Sequence, residues 1–163
     1  MSAEPGTTCV GPAADADLAA CAALVAGHAL FERYGIGPTE LVHALRSGVA
    51  AGDLVSCARR GSVLVGFVWL APTGAFARSP YLRLLAVAPE TSGTGIGSQL
   101  AEAAEVWAFR RASDIFLLVN DGNVAARRFY TRRGFEVVGR LHEYVLPGLD
   151  ETIMRKRRPT TND

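Results

Sequence analysis

The segment Ser92-Gly93-Thr94-Gly95-Ile96-Gly97-Ser98 constrains this chain more than any other. It follows the apolar run Leu84-Leu85-Ala86-Val87 and leads into a helix-patterned stretch from Gln99. Glycine alternates here with larger residues. Without Cβ atoms the glycines let the backbone turn through angles closed to other residues, so several N–H groups converge where a helix N-terminus adds partial positive charge. A strand, turn and helix joined in this way make an anion cradle, and phosphate suits it. Spacing then separates the phosphate loops. A P-loop needs Lys and then Ser or Thr directly after its last glycine, whereas Gly97 is followed by Ser98 and Gln99. A dinucleotide fingerprint needs its third glycine three positions after the second, with a carboxylate about twenty positions on. Gly97 comes one residue early, and the downstream stretch is Ile115-Phe116-Leu117-Leu118, without a carboxylate.

The length of 163 residues suits a single domain, 1–163, with short flexible tails expected at about 1–6 and 158–163. Hydrophobic residues make up 49% of the chain, enough for a sizeable core, but they form no apolar run approaching a membrane span. Met1-Ser2-Ala3-Glu4-Pro5 lacks the basic-then-apolar pattern of a signal peptide, so the expected location is the cytoplasm. Cys9, Cys21 and Cys57 have no metal-type spacing and read as reduced thiols; no metal site is expected. A net charge of +1 gives no general attraction to nucleic acid. Arg155-Lys156-Arg157-Arg158 reads as a solvated basic tail, with contact to an acidic partner as the alternative.

Periodicity and punctuation divide the chain further. Thr7 to Gly11 reads as a strand, and Pro12 with Asp15 or Asp17 announces a helix to about Gly27 that sets Leu18, Cys21, Ala22 and Leu24 on one side. After Gly35-Ile36-Gly37, Pro38 opens a second helix toward Gly48 that carries Leu41 and Leu45. Asp53 to Arg59 and Ser62 to Leu70 read as a hairpin around Arg60-Gly61, with Thr73-Gly74 marking the exit. Tyr81 to Val87 is a fourth strand, and Ser98 to Arg111 a helix with Leu100, Ala103, Ala104 and Trp107 along one stripe. Ile115 to Val119 is a fifth strand, Val124 to Arg133 a helix, and Glu136 to Val145 with Glu151 to Arg157 a closing pair around Pro147-Gly148. One mixed α/β sheet with helices on both faces accommodates this order.

A second motif lies about thirty residues beyond the first. Asn123-Val124-Ala125-Ala126-Arg127-Arg128-Phe129-Tyr130-Thr131-Arg132-Arg133-Gly134-Phe135 is a short helix with a glycine cap. It resembles, position by position, the N-x-x-A-x-x-h-Y-x-x-x-G-F signature of the GNAT superfamily of N-acetyltransferases. The glycine segment resembles that superfamily's Q/R-x-x-G-x-G/A loop, with Ser92 replacing Arg or Gln and with Gly95 and Gly97 in place. The resemblance covers nearly the whole chain. It implies the GNAT fold, a mixed, mostly antiparallel sheet whose fourth and fifth strands splay apart, and acetyl-CoA as co-substrate. It places the pantetheine arm against Leu85, Ala86 and Val87 and the pyrophosphate on Ser92, Gly93, Thr94, Gly95, Ile96, Gly97 and Ser98. Arg127 and Arg128 are candidates for the remaining phosphate.

The implied reaction is direct attack of a neutral amine on the thioester, with a backbone N–H near Val87 for the oxyanion and Tyr130 serving the departing sulfur. A thiol near 8.5 lies about 1.5 pKa units below a phenol near 10, so complete proton transfer from Tyr130 is uphill and hydrogen-bond donation is the expected role. Asn123 is expected to cap its helix or bond the pantetheine. Bacterial ribosomal-protein N-terminal acetyltransferases of the family carry a Glu five places before the motif Asn, where this chain has Leu118. Glu32, His43, His142 and Glu143 are the alternative bases. Phe31, Tyr34, Trp69 and Tyr144 are candidates to line the acceptor pocket, as is Tyr81, and Arg83 to hold an acceptor carboxylate. The leading expectation is a small-molecule primary amine as acceptor, with no nucleic-acid or membrane partner and with a homodimer allowed. Acetylation of protein N-termini or lysines is the alternative, and a non-catalytic acyl-CoA sensor the alternative of another class.

Overall fold

The computed structural model describes residues 6–160, apart from the side chain of Leu30. Most of the expected tails, 1–5 and 161–163, lies outside the described residues. The strands are β1 (Thr8–Pro12), β2 (Leu54–Arg60), β3 (Val63–Ala75), β4 (Ser79–Val87), β5 (Asp114–Asn120), β6 (Glu136–Leu146) and β7 (Leu149–Arg157). The helices are α1 (Leu18–Ala26), α2 (Ala29–Arg33), α3 (Pro38–Ala50), α4 (Ile96–Phe109) and α5 (Val124–Arg132). The strands form one seven-stranded sheet in the order β1-β2-β3-β4-β5-β7-β6, in which β4 and β5 run parallel and the other neighbours antiparallel. This is the mixed, mostly antiparallel sheet that the sequence implies.

β3 is covered on both faces, so its middle reads as continuous apolar sequence rather than as alternation. Val68 and Leu70 join a core under α4 and α5 with Ile96, Leu100, Ala104 and Tyr130, while Phe67 and Trp69 join a second core with Cys21, Val25, Leu41 and Leu45 of α1 and α3. α1 buries Val25 rather than Leu24 at its end, and α4 buries Ala101 and Ala108, leaving Ala103 and Trp107 half-buried at the stripe's margin.

Among the boundaries that differ from the expected ones, two have identifiable reasons. α4 begins at Ile96, because Gly95 in the left-handed region (φ 84) acts as its N-cap. β3 runs through Thr73-Gly74 to Ala75 by way of a register shift, and the chain turns instead at Phe76 and Ala77, which carry φ 55 and 52. Gly74 is required there for close approach: a Cβ would sit 2.8 Å from Tyr81 Cβ. The basic run expected as a solvated tail divides: Arg155 and Lys156 are half-buried on β7, while Arg157 and Arg158 are exposed. Lys156 Nζ meets Glu105 at 2.7 Å and Arg155 meets Asp114 at 3.4 Å, and these carboxylates hold the charge against the fold.

Gly66 of β3 sets how closely α4 packs on the sheet. A Cβ there would lie 2.9 Å from both the Ala86 carbonyl oxygen and Leu100 Cδ1. Gly66→Ala is expected to destabilise the protein by about 1–3 kcal/mol through overpacking, read as a lower urea midpoint with an unchanged slope.

Candidate active site

The site begins where β4 and β5 part. Their parallel pairing covers only Tyr81 with Phe116 and Leu82 with Leu117, so Leu84–Val87 and Leu118–Asn120 stand apart. β4 remains paired to β3 up to Val87, and the Ala88 N–H donates to the Val65 carbonyl at 2.8 Å. Alternation along the strand therefore turns the amides of Val87 and Leu85 to the other edge, into the gap. A cleft of about 840 Å³ fills the gap and continues under α2 and α3. Its lining includes Leu85, Ala86, Val87, Asn123 and Tyr130 together with Phe31, Tyr34, Trp69, Tyr81 and Arg83.

Beyond Val87 the chain makes a 3-10 turn (Pro89–Thr91) and reaches the mouth of α4. Gly93 and Gly95 take φ 75 and 84, with open space where a Cβ would project. Thr94 steadies the turn by donating its hydroxyl to the Thr91 carbonyl at 2.6 Å. The first amide bonded within the helix is that of Gln99, to Gly95 O at 3.1 Å, and no side chain caps the end. The N–H groups of Ile96, Gly97 and Ser98 are thus left facing out with the positive end of the helix dipole. Ser92–Ser98 do not line the cleft; they lie at the end of the β4 wall.

Tyr130 is 7% exposed and packs edge-on against Phe129 and Phe135 at centroid distances of 5.1 and 5.4 Å. Among the described residues nothing hydrogen-bonds its hydroxyl. Burial pushes the phenol well above the ordinary tyrosine range, partly offset by Arg133. Asn123 caps α5, its side chain accepting the Ala126 N–H at 3.1 Å. Arg127 and Arg128 line a separate hollow of about 390 Å³ on the outer side of α5.

On the α2–α3 side of the cleft, Trp69 donates Nε1–H to Asp53 at 2.7 Å, and Arg83 stacks over the Trp69 ring at 5.1 Å with Asp53 3.7 Å away. Tyr144 is not brought to the cleft: it is 66% exposed on β6, and its neighbour Val145 lines the cleft instead. None of the bases considered from sequence lines it. Glu32 and His43 are exposed on helix surfaces, His142 pairs with Asp150 at 2.8 Å, and Glu143 accepts the Gly148 N–H at 2.7 Å. The carboxylate that does reach the cleft in a buried position is Glu151, 3% exposed, to which the Tyr34 hydroxyl donates at 2.6 Å. Burial, then this bond and the carboxylate charge, push the Tyr34 phenol up to about 12. Glu151 had no sequence signal beyond its place at the start of the closing strand. Only the β5–β7 register, which sets it beside Asn120, brings it to the gap.

The family description "Acetyltransferase (GNAT) family" matches residues 22–135, which include both walls of the gap and the α4 mouth. The chain belongs to the GNAT family. Within that family it is 39% identical over 71 residues to N-alpha-acetyltransferase 30 of Schizosaccharomyces pombe, covering 43% of this chain and 47% of the relative. The chain spans about half the length of the curated relatives it matches. Among solved GNAT structures, an aminoglycoside 6'-N-acetyltransferase complexed with coenzyme A superposes with TM-score 0.78 at 17% identity, covering 95% of this chain and 99% of the other. A ribosomal-protein-alanine N-acetyltransferase from Brucella melitensis superposes with TM-score 0.75 at 24% identity, covering 92% and 99%. At these identities the structural likenesses establish the GNAT fold. Among the described residues no helix is long and apolar enough to cross a membrane.

Tyr130, Tyr34 and Tyr81 all hold their protons more tightly than an exposed phenol, each chiefly through burial. As pH rises the unfolded chain therefore loses these protons first. Stability is expected to be flat up to about pH 10 and to fall above it. Urea midpoints from pH 8 to 11.5, recorded with tyrosinate absorbance, check this; a midpoint constant to pH 11.5 refutes it.

Proposed function

We propose that the chain is an acetyl-CoA-dependent N-acetyltransferase that acetylates a primary amine of a small molecule by direct attack within a ternary complex. The observation that carries this reading is the parted β4–β5 edge, with the Val87 amide and Tyr130 on one cleft and the uncapped α4 mouth at its end. Unpaired amides of β4 can bond the pantetheine carbonyls as a missing strand would, and the amides of Ile96, Gly97 and Ser98 can take the pyrophosphate. Ser92 removes a side-chain donor from that grip but none of the backbone donors.

With the thioester carbonyl beside the Val87 amide, an attacking amine generates an oxyanion that this preorganised donor meets. The C–S bond then breaks as the carbonyl re-forms, the nitrogen gives up its proton to water, and Tyr130 donates a hydrogen bond to the leaving thiolate. Because burial raises the Tyr130 phenol further above a thiol, it keeps its own proton and acts as a donor. The apolar, partly aromatic cleft wall suits an acceptor of limited size. The relative from Schizosaccharomyces pombe favours a second reading, acetylation of protein N-termini, against which stands Leu118 where the bacterial ribosomal-protein N-terminal acetyltransferases carry a Glu.

Release of free thiol is expected only when acetyl-CoA and an acceptor amine are both present, measured against a small-amine library and a panel of N-terminal and lysine peptides. Turnover confined to peptides supports the second reading; tight acetyl-CoA binding without any turnover supports a sensor. Tyr130→Phe is expected to lower kcat about 10- to 100-fold, the worth of one hydrogen bond to a charged group, with coenzyme A affinity kept. Gly95→Asp sets a carboxylate against the phosphates and is expected to weaken coenzyme A binding on the order of 100-fold with the fold retained. Unchanged affinity refutes the placement at the α4 mouth.

A further inference from the structure

The acceptor side of the cleft contains a charge that the protein leaves unbalanced. Glu151 is buried on β7, and its hydrogen bond comes from Tyr34, a neutral hydroxyl. Arg83, the arginine that lines the cleft, faces Asp53, and Arg33, whose charge reaches Tyr34, makes no ion pair with Glu151. Among the described residues no Lys, Arg or His pairs with Glu151. A carboxylate taken out of water without a partner cation is expensive to maintain, and a cationic ligand relieves that cost. A second atom in the same cleft has an unmet need. Nε2 of His28 is buried without a hydrogen-bond partner, and His28 lines the cleft with Glu151.

From this we infer that Glu151, held by Tyr34 and accompanied by His28, is the binding site for the acceptor's ammonium group. The acceptor class is a small primary alkylamine with an apolar or aromatic body, which enters as the cation. The inference rests on the acetyltransferase reading and names its substrate class. Charge selects the ammonium, while Trp69 and Phe31 offer the apolar surface for the body. The cleft of about 840 Å³ also has to take the pantetheine arm, so the remaining space fits a small molecule. Bound there, the ammonium nitrogen has to shed its proton to water before it attacks, since an alkylammonium near 10.4 holds a proton far more tightly than a carboxylate near 4.3.

The test uses phenethylamine and its neutral isostere phenethyl alcohol, titrated by calorimetry into the wild-type protein, Glu151→Gln and Tyr34→Phe, with coenzyme A affinity measured on the same samples. Phenethylamine is expected to bind the wild type at least about tenfold more tightly than the alcohol, and to lose at least about tenfold in Glu151→Gln, the signature of a desolvated charge pair. The alcohol is expected to bind both proteins equally. Tyr34→Phe keeps the carboxylate and is expected to retain the preference for the amine. Equal amine affinity in wild type and Glu151→Gln overturns the inference, as does a wild type that does not favour the amine, including one that binds neither probe. The amine–alcohol comparison on the wild type decides the matter alone if Glu151→Gln does not fold. Failure to bind coenzyme A strikes the acetyltransferase reading instead, because the amine titrations need no cofactor.

Discussion

Everything about the site depends on two parallel strands that pair at two positions and then separate. Past Leu82 and Leu117 the facing edges of β4 and β5 each present N–H and C=O groups to a gap inside the sheet, where unpaired backbone is costly. The strands on either side keep the fork from closing, since β4 stays paired to β3 and β5 to β7 along its full length. A ligand that brings amide groups of its own completes the edge, as an added strand does. The fork thus converts a defect of sheet pairing into a slot, and the turn after β4 places an uncapped helix mouth at the slot's end.

The position of Tyr130 against that slot is set by a buried charge cluster. Glu105 of α4 receives Arg133 Nε at 2.9 Å and Lys156 Nζ at 2.7 Å, which ties α4 to the end of α5 and to β7. The two cations also lie over Phe129 and Phe135, the rings that flank Tyr130. Removing one member of such a cluster strands the others in a dry place, so the cluster fixes geometry more than it adds net stability. The helix with the open N-terminal amides and the helix that carries the phenol are held as one piece.

Much of this was legible from local sequence because local chemistry determines it. Alternating glycines before an apolar helix stripe specify a turn whose amides converge, and Asn123 to Phe135 specify a short capped helix, while singling out Tyr130 on it took the family resemblance. Residues far apart in sequence were harder to combine. Phe31, Tyr34, Trp69 and Arg83 line the cleft, whereas Tyr144 faces solvent on the stretch of β6 where the β6–β7 register shifts between Leu141 and Leu146. Glu151 escaped notice because its meaning lies in a register, opposite Asn120, and in a hydroxyl that arrives from Tyr34, 117 positions earlier. Arg155 and Lys156 misled because a basic run looks solvated until Asp114 and Glu105 are folded against it.

The two cores lie on opposite faces of β3, and they support different halves of the molecule. One, under α4 and α5, backs the helix mouth and Tyr130; the other, under α1 and α3, backs the walls around Phe31 and Trp69. Ala86 of β4 belongs to the second core and pairs with Phe67, so repacking Leu41, Leu45 or Phe67 shifts the wall at Phe31 and Trp69 and also reaches the parted β4 edge. The β4 edge is the one wall that both layers feel, with Leu85 and Val87 resting on one core and Leu84 and Ala86 on the other, so drift in either layer is transmitted to the gap.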